Sequence, residues 1–267
     1  MLARRELPAA YARWNSKWGA PSGRRVIPGL RQIARSAGVT YRLAPILGPF
    51  AFQVNSSTRE FEYPWVYEAL RPGRGLRVLE LGGALSGLQF ALARAGCEVH
   101  NVDPFLDYGD GGYGPMPEER HRQLNRSLRT DVRLHKGSLP DVELAGDFDA
   151  IFSVSTLEHI PRGALEDTLR AVRRLLRPGG HFVCTIDLFL DLEPFCRRER
   201  NMWGTNVPPR WVADFLEMRL VQGDPAELFG YKEFEAGHIL ERLADFSINT
   251  LYPQLTQLIV LEATSQL

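Results

Sequence analysis

The chain has 267 residues, of which 44% are hydrophobic, and its formal net charge is zero. A chain of this size can bury a sizeable core, and we expect one α/β domain with an extension rather than two independent domains. The zero net charge excludes a global electrostatic attraction to nucleic acid or to membranes. The charges are unevenly distributed along the chain. Residues 1–42 carry nine Arg or Lys against one acid, which gives a net charge of +8 there and −8 in the rest of the chain.

The cysteines and the absence of long apolar runs bear on the cellular compartment. Cys97, Cys184 and Cys196 are odd in number, widely spaced and without a metal-binding pattern, which indicates reduced thiols. No segment approaches the roughly 18 uninterrupted apolar residues of a membrane-spanning helix. The arginine-rich start lacks the apolar core of a signal peptide, although an organelle transit segment is an alternative. We therefore predict a cytoplasmic protein that does not associate with membranes.

Residues 1–72 are predicted to form an N-terminal extension of short helices and turns, because prolines and glycines interrupt them repeatedly. The extension contains the basic arm and the aromatic stretch E-Y-P-W-V-Y (62–67). This stretch suits either a lid over a bound ligand or packing in the core.

From residue 73 onwards, strand-like and helix-like segments alternate. Strands are predicted at 76–81, 97–102, 132–135, 148–154 and 181–186, and helices at 88–95, 117–128 and after the fourth strand. The last of these helices shows one apolar stripe at the helical period, formed by Leu165, Leu169, Val172 and Leu176. Four consecutive strand–helix units predict a parallel sheet with helices on both faces.

The alternation stops between residues 188 and 231, a segment rich in aromatic residues. We interpret it as a substrate cap inserted after strand five, with the plain core of a small cap as the alternative. A helix is predicted near 233–243, followed by two strands, 246–251 and 256–261. The intervening Tyr-Pro-Gln favours an antiparallel hairpin at the end of the chain.

The turn after the first strand, L-E-L-G-G-A-L-S-G-L (79–88), is similar to a dinucleotide fingerprint whose middle glycine is Ala84. A Cβ atom at this position opposes the backbone contact that a pyrophosphate needs. Glu80 would repel two phosphates but suits a ligand that carries an ammonium and a sulfonium. Asp103, at the end of the second strand, can accept ribose hydroxyls of either kind of adenosine cofactor. The turn therefore favours S-adenosylmethionine over a nicotinamide dinucleotide.

Four motifs occur in the order and spacing of one family: V-L-E-L-G-G (78–83), N-V-D-P (101–104), F-D-A-I-F-S-V-S-T-L-E-H-I (148–160) and L-L-R-P-G-G (175–180). Over roughly residues 73–187 the chain resembles the class I S-adenosylmethionine-dependent methyltransferases, in their small-molecule branch. The resemblance implies a Rossmann-like, doubly wound, mostly parallel sheet with a C-terminal antiparallel hairpin strand. It also implies that S-adenosyl-L-methionine is the cofactor.

The resemblance implies a set of cofactor-binding positions as well. Glu80 would bind the methionine part, Asp103 the ribose hydroxyls and Ser138 the adenine edge. The full set is Glu80, Gly82, Gly83, Ala84, Asp103, Pro104, Gly137, Ser138 and Ser153. The chain departs from the family where Ala84 and Ser86 replace usual glycines, with Gly87 shifted one along, and where Ser138 replaces a frequent acid.

Methyl transfer from a sulfonium needs alignment and exclusion of water more than acid–base machinery. His159 is the first candidate for a catalytic base, because an unperturbed histidine pKa of about 6.5 suits proton transfer near neutrality. Glu158 is the second candidate, and packing or capping is the alternative for both. Since strand four ends in Ser153 and Ser155 rather than in carboxylates, we predict no metal. The acceptor atom, O, N or C, is left open.

Three other functions stay open. A methyltransferase acting on RNA or on a phosphorylated acceptor would use the basic arm, although strand four ends in S-V-S-T rather than in the N/D-P-P-Y/F of enzymes that methylate base amines. A non-catalytic cofactor-binding relative would fit the atypical glycine turn. An NAD(P)-linked oxidoreductase is opposed by Glu80 and Ala84. We expect a small-molecule substrate and no nucleic acid, while the sequence does not indicate an oligomeric state.

Overall fold

The computed structural model describes residues 1–24, 40–105, 117–249 and 252–264. The chain divides into two compact units. The N-terminal unit is Pro8–Val142, and the C-terminal unit joins Met1–Leu7 to Glu143–Leu267. This division falls well beyond residue 72, where we expect the extension to end.

The N-terminal unit contains three parallel strands in the order β3-β2-β1. The strands are β1 (Arg77–Leu81), β2 (Glu98–Asp103) and β3 (Arg133–Lys136). The helices are α1 (Ala9–Trp18), α2 (Ala44–Leu47), α3 (Arg59–Leu70), α4 (Gly87–Arg94) and α5 (Pro117–Leu128). All three strands and the last two helices lie within one or two residues of their predicted bounds.

The aromatic stretch at 62–67 lies inside α3 and is largely buried. Tyr63, Trp65 and Val66 each expose 2% or less of their surface. Arg59 forms an ion pair of 2.6 Å with Glu62, which is itself fully buried. These side chains therefore pack in the core of the N-terminal unit, and the lid role of the extension remains a prediction.

The C-terminal unit contains four strands in the order β4-β5-β7-β6. They are β4 (Phe148–Val154), β5 (Leu176–Phe189), β6 (Met218–Gln222) and β7 (Gln254–Ala263). β4 and β5 are parallel, and β7 runs antiparallel to both β5 and β6. The helices are α6 (Arg162–Leu175), α7 (Pro209–Leu216) and α8 (Ala236–Glu241). Parallel strands connected by helices, with an antiparallel strand at the end, confirm the predicted Rossmann-like α/β class.

The prediction of a strand at 246–251 is wrong for the residues of this range that the structure describes. Phe246 forms only an isolated bridge with Arg4, and the described residues 247–249 have no strand geometry. Phe246 is buried in a cluster with Leu2 and Ile239, so its apolar character reflects packing of a loop rather than a strand. The antiparallel neighbour of β7 at the sheet edge is β6 instead.

β6 lies inside the segment that we interpret as a cap. Its sequence, M-R-L-V-Q, is short and half polar, which is typical of an edge strand and gives little sequence signal. Together with α7 it accounts for the later part of 188–231. We use the name cap segment for residues 190–208 only, and its role as a substrate cap remains a prediction.

Strand five begins at Leu176, five residues before the predicted start at 181. Leu176 already pairs with Phe148, so the R-P-G-G stretch belongs to the strand and not to a turn that precedes it. Among the described helices, none combines the length and the hydropathy that crossing a bilayer requires.

Candidate active site

Glu80 lies on β1 and is almost completely buried, with 1% of its surface exposed. A Cβ atom at position 83 would lie 2.4 Å from its Cδ, so only glycine there lets the turn fold across the carboxyl group. Burial raises the pKa of Glu80 to about 8, and the Asp103 charge adds to this while a hydrogen bond from Ser86 opposes it. Its Oε2 has no hydrogen-bond partner in the part of the chain that the structure describes. A buried acceptor of this kind suits a ligand that donates hydrogen bonds.

Asp103 ends β2 and is held by two main-chain donors. The N–H of Ala84 donates to Oδ2 at 2.8 Å, and the N–H of Phe105 donates to Oδ1 at 2.6 Å. Both donor residues have left-handed backbones, with φ of +45° and +50°. Burial raises the pKa of Asp103. Each carboxylate oxygen has a further lone pair, so the group can also accept the hydroxyls of a ribose.

The two outer glycines of the turn have different roles. Gly82 has a φ of +72°, and its N–H donates to the carbonyl of Val102 at 2.9 Å. At position 87 a Cβ atom would lie 2.5 Å from the ring of Phe50. Gly87 therefore permits close packing at the start of α4.

The turn after β3 contacts Asp103 as well. The N–H of Gly137 donates to the main-chain carbonyl of Asp103 at 3.1 Å. Ser138 is exposed, and Pro104 is partly exposed. The N-terminal unit thus brings Glu80, Asp103 and Gly137 together, with the intervening turn, at the carboxyl ends of its three strands. Their role in binding the cofactor remains a prediction.

Ser153 belongs to the C-terminal unit, where it is fully buried on β4 opposite Cys184 of β5. Two residues further on, Ser155 has a φ of +42° and donates through Oγ to Oδ1 of Asp187 at 2.8 Å. Thr256 also donates to this oxygen, at 3.4 Å. Asp187 is therefore a buried, oriented carboxylate near the end of β5.

Glu158 lies in a 3₁₀ turn, Leu157–His159, directly after β4 and is 1% exposed. The N–H of Asp187 donates to its Oε1 at 3.2 Å. One atom each of Glu158, His159 and Asp187 lie within 4.8 Å of one another, and these are donor types that a divalent cation uses. The prediction of no metal took Asp187 as available after strand five but found only Ser153 and Ser155 at the end of strand four, whereas the turn beyond that strand contributes Glu158. That prediction therefore needs an experiment.

His159 is partly exposed and has a defined tautomer. Its Nδ1 lies 2.5 Å from the main-chain oxygen of Trp203. Since a carbonyl can only accept, Nδ1 carries the hydrogen, and Nε2 is the basic nitrogen of the neutral ring. Nε2 lies 3.9 Å from Oε1 of Glu158, a distance at which a carboxylate stabilises an imidazolium.

The cap segment holds this arrangement in place. A Cβ atom at position 204 would lie 2.0 Å from the carbonyl oxygen of Glu158, and the N–H of Thr205 donates to the same oxygen at 3.1 Å. Oδ1 of Asn201 accepts from the N–H groups of Trp203 and Gly204. Sequence reasoning missed these contacts. The only available signal was the N-M-W-G stretch, which is typical of a turn stabilised by an asparagine side chain.

Comparisons with known proteins show that the sequence is similar to methyltransferases. A family model described as a methyltransferase domain matches residues 79–182. Over 114 residues the chain is 32% identical to the ubiquinone biosynthesis O-methyltransferase of Pseudomonas aeruginosa strain LESB58, covering 42% of this chain and 45% of that protein. The protein of the same name from Azotobacter vinelandii is 30% identical over 124 residues, covering 46% and 49%. The chain thus spans less than half the length of these curated relatives.

Two solved structures show the same fold. The [4+2]-cyclase SpnF has a TM-score of 0.57 at 13% identity, covering 87% of this chain and 97% of that one. A putative sarcosine dimethylglycine methyltransferase from Galdieria sulphuraria has a TM-score of 0.50 at 14% identity, covering 79% and 89%. Residues 79–182 are thus similar to a methyltransferase domain, and the chain has the fold of these two structures.

Proposed function

We propose that this protein transfers a methyl group from S-adenosyl-L-methionine to a hydroxyl group of a small molecule. The observation that carries the proposal is the fixed tautomer of His159, whose Nδ1–H donates to the Trp203 carbonyl. A hydroxyl acceptor has to lose its proton as it attacks, and a histidine with a basic Nε2 can take that proton.

The N-terminal unit has groups that fit the cofactor. When bound, S-adenosylmethionine supplies an electrophilic methyl group on a positively charged sulfur. The unpaired Oε2 of Glu80 suits the ammonium of its methionine part, and the carboxylate of Asp103 suits the two ribose hydroxyls. Gly83 keeps the main chain close to Glu80, where a larger residue would collide with the carboxyl group.

The C-terminal unit has groups that fit the proton transfer. Bound S-adenosylmethionine would supply the methyl group by cleavage of its carbon–sulfur bond, with S-adenosylhomocysteine as the leaving group. His159 accepts the hydroxyl proton at Nε2, and the resulting imidazolium lies near the Glu158 carboxylate, 3.9 Å away. The Glu158 carboxylate favours the charged form of the ring that this step produces.

Oxygen is the proposed acceptor atom because the curated relatives are named O-methyltransferases. The fold alone does not decide the reaction, since the same fold occurs in a protein described as a [4+2]-cyclase. Turnover therefore has to be measured as well as binding. RNA belongs in the same acceptor panel, and methylation of RNA but not of hydroxylated small molecules would overturn the proposed substrate class.

The test uses His159→Asn, which keeps a side-chain donor near the position of Nδ1 but removes Nε2. With radiolabelled S-adenosylmethionine and a panel of hydroxylated small molecules, we expect kcat to fall about 10²- to 10⁴-fold. Affinity for S-adenosylhomocysteine should stay within about twofold of the parent protein, because the change spares the cofactor residues. His238→Asn, at an exposed position, is the control. A His159→Asn rate within threefold of the parent would show that His159 is not the base.

The same assay tests the prediction of no metal. We expect activity to be unchanged after dialysis against EDTA. Activity that is lost with EDTA and restored by a divalent cation would instead show a metal requirement, for which Glu158, His159 and Asp187 are the candidate ligands.

A further inference from the structure

Ala84 has an unusual backbone for a residue that carries a side chain. Its φ is +45°, in the left-handed region that glycine adopts readily and other residues rarely do. The residue is fully buried, so solvent does not stabilise this conformation. Something within the N-terminal unit has to hold it there.

Three buried side chains hold the Ala84 turn through its main-chain carbonyl, whereas Asp103 contacts the N–H of Ala84. The carbonyl of Ala84 accepts from Nδ2 of Asn101 at 2.9 Å and from Nε2 of Gln89 at 3.2 Å. Oε1 of Gln89 in turn accepts from Asn101 at 3.2 Å and from Nε2 of His121 at 2.9 Å. Gln89 and Asn101 are fully buried, and His121 is 2% exposed. We call these three residues the turn network.

The turn network binds the carbonyl of the same residue whose N–H contacts the predicted ribose-binding carboxylate, and the two groups belong to the peptides on either side of the Ala84 Cα. Both lone pairs of the Ala84 carbonyl are occupied by the network, while the N–H of the same residue donates to Oδ2 of Asp103 at 2.8 Å. Rotation of the Ala84 backbone towards an ordinary φ would move this N–H away from Asp103. Holding the carbonyl therefore also holds the carboxylate.

We propose that the turn network is a positioning element for Asp103, which replaces the conformational freedom of a glycine at position 84 and thereby sets the affinity for the ribose of the cofactor. This inference rests on the proposed function only in naming the ribose as the ligand of Asp103. His121 lies on α5, so the network connects that helix to the cofactor turn. Gln89, Asn101 and His121 are positioning residues in this scheme, and none of them needs to touch the cofactor.

The experiment measures the dissociation constant of S-adenosylhomocysteine by calorimetry for Asn101→Ala and for Ala84→Gly combined with Asn101→Ala. We expect Asn101→Ala to weaken binding at least tenfold. The added Ala84→Gly should recover at least threefold of this loss, because glycine adopts the left-handed backbone without help. A purely structural network predicts the reverse, since a second change in the core adds to the damage. In an Asp103→Ala background, Asn101→Ala should have no further effect.

Matched controls separate positioning from general destabilisation. Asn125→Ala removes another amide-to-carbonyl hydrogen bond of the same unit, to Val132 at 2.9 Å, but does not touch Ala84. If Asn101→Ala does not fold, Gln89→Met takes its place, since it removes all three network bonds of the side chain at similar volume. Equal losses of affinity in Asn125→Ala and Asn101→Ala, or binding by folded Asn101→Ala within twofold of the parent, would overturn the inference.

A second measurement does not depend on the cofactor. In the unligated protein, hydrogen exchange at the Ala84 amide should be at least tenfold faster in Asn101→Ala than in Asn125→Ala, because the bond to Asp103 is loosened. If the parent does not bind S-adenosylhomocysteine but the exchange difference is found, the proposed function fails and the positioning of Asp103 stands. If the parent binds and the exchange rates agree, the inference alone fails.

Discussion

Glu80 is a carboxyl group that the fold keeps out of water. Because burial raises its pKa to about 8, most unligated molecules hold it neutral at pH 7. An ammonium beside it favours the charged form, so the ligand has to displace a proton before the ion pair forms. Gly83 and Ser86 give the side chain this environment: the first allows close approach of the main chain, and the second donates a hydrogen bond.

This residue predicts a pH dependence of binding. Below pH 8 the affinity for S-adenosylhomocysteine should rise about tenfold per pH unit and should level off above about pH 8, because each binding event releases one proton. Titration calorimetry from pH 6 to pH 8.5, in buffers of different ionisation enthalpy, measures both the affinity and the released proton. Glu80→Gln should bind more weakly and without this slope, whereas Glu98→Gln, at an exposed position of β2, should keep it. A parent affinity that does not change with pH would contradict the assignment.

At the scale of elements, the cap segment and the turn after β4 depend on each other. Gly204 has a φ of +152° and packs against the Glu158 carbonyl, and its neighbour Trp203 sets the tautomer of His159. A loop distant in sequence thus determines the chemistry of a histidine. The backbone at 204 allows no side chain at this contact.

Gly204→Ala should therefore destabilise the protein by about 2–3 kcal/mol and lower turnover, because the added methyl group forces the cap segment away from His159. Gly163→Ala is the matched control, since no atom lies within 4 Å of a Cβ at this position in α6. The control should raise the free energy of unfolding by about 0.5–1 kcal/mol through helix propensity. Urea denaturation and a turnover assay measure both variants. Equal stability of the two proteins would show that the contact at 204 is not rigid.

Whether an element could be predicted from the sequence depends on which property of its residues the prediction uses. β1, β2 and β4 are predicted nearly to the residue, because runs of buried apolar residues end at turn residues. β6 is not predicted, because an edge strand needs few apolar residues. A strand is wrongly predicted from Phe246, because loops also bury aromatic side chains. At the site, residues at strand ends such as Glu80 and Asp103 are predictable, whereas a main-chain carbonyl such as that of Trp203 has no sequence signature.

At the scale of the whole molecule, buried histidines link folding to acidity. Burial lowers the pKa of His121 to about 4, and it also lowers the pKa values of His100 and His135. In the unfolded chain these side chains take up protons below about pH 6.5. The unfolded state then binds more protons than the folded state, so stability falls as the pH decreases. Glu80 has the opposite effect on stability. Its pKa is raised in the folded state, so the stability that it contributes is present at low pH and is lost as the pH rises towards about 8.

We therefore expect the free energy of unfolding of the Glu80→Gln variant to fall between about pH 6.5 and pH 4, with His121 alone contributing about 3 kcal/mol. Guanidinium denaturation of Glu80→Gln isolates this effect, because the variant lacks the opposing carboxyl group. Adding His121→Gln, which can still donate to Gln89, should flatten the profile. Adding His238→Gln at an exposed site should leave it unchanged. A steep profile that survives His121→Gln would assign the acid sensitivity to other groups.

The bond from His159 to position 203 ends on a main-chain oxygen, and this has a consequence for how the enzyme can evolve. The tautomer of the histidine does not depend on which side chain stands at 203, and the indole there is 40% exposed. Substitutions at this position can therefore change the surface beside the proposed base without changing the tautomer of His159. A saturation library at Trp203 is accordingly a direct way to search for altered acceptor preference among variants that keep a working histidine.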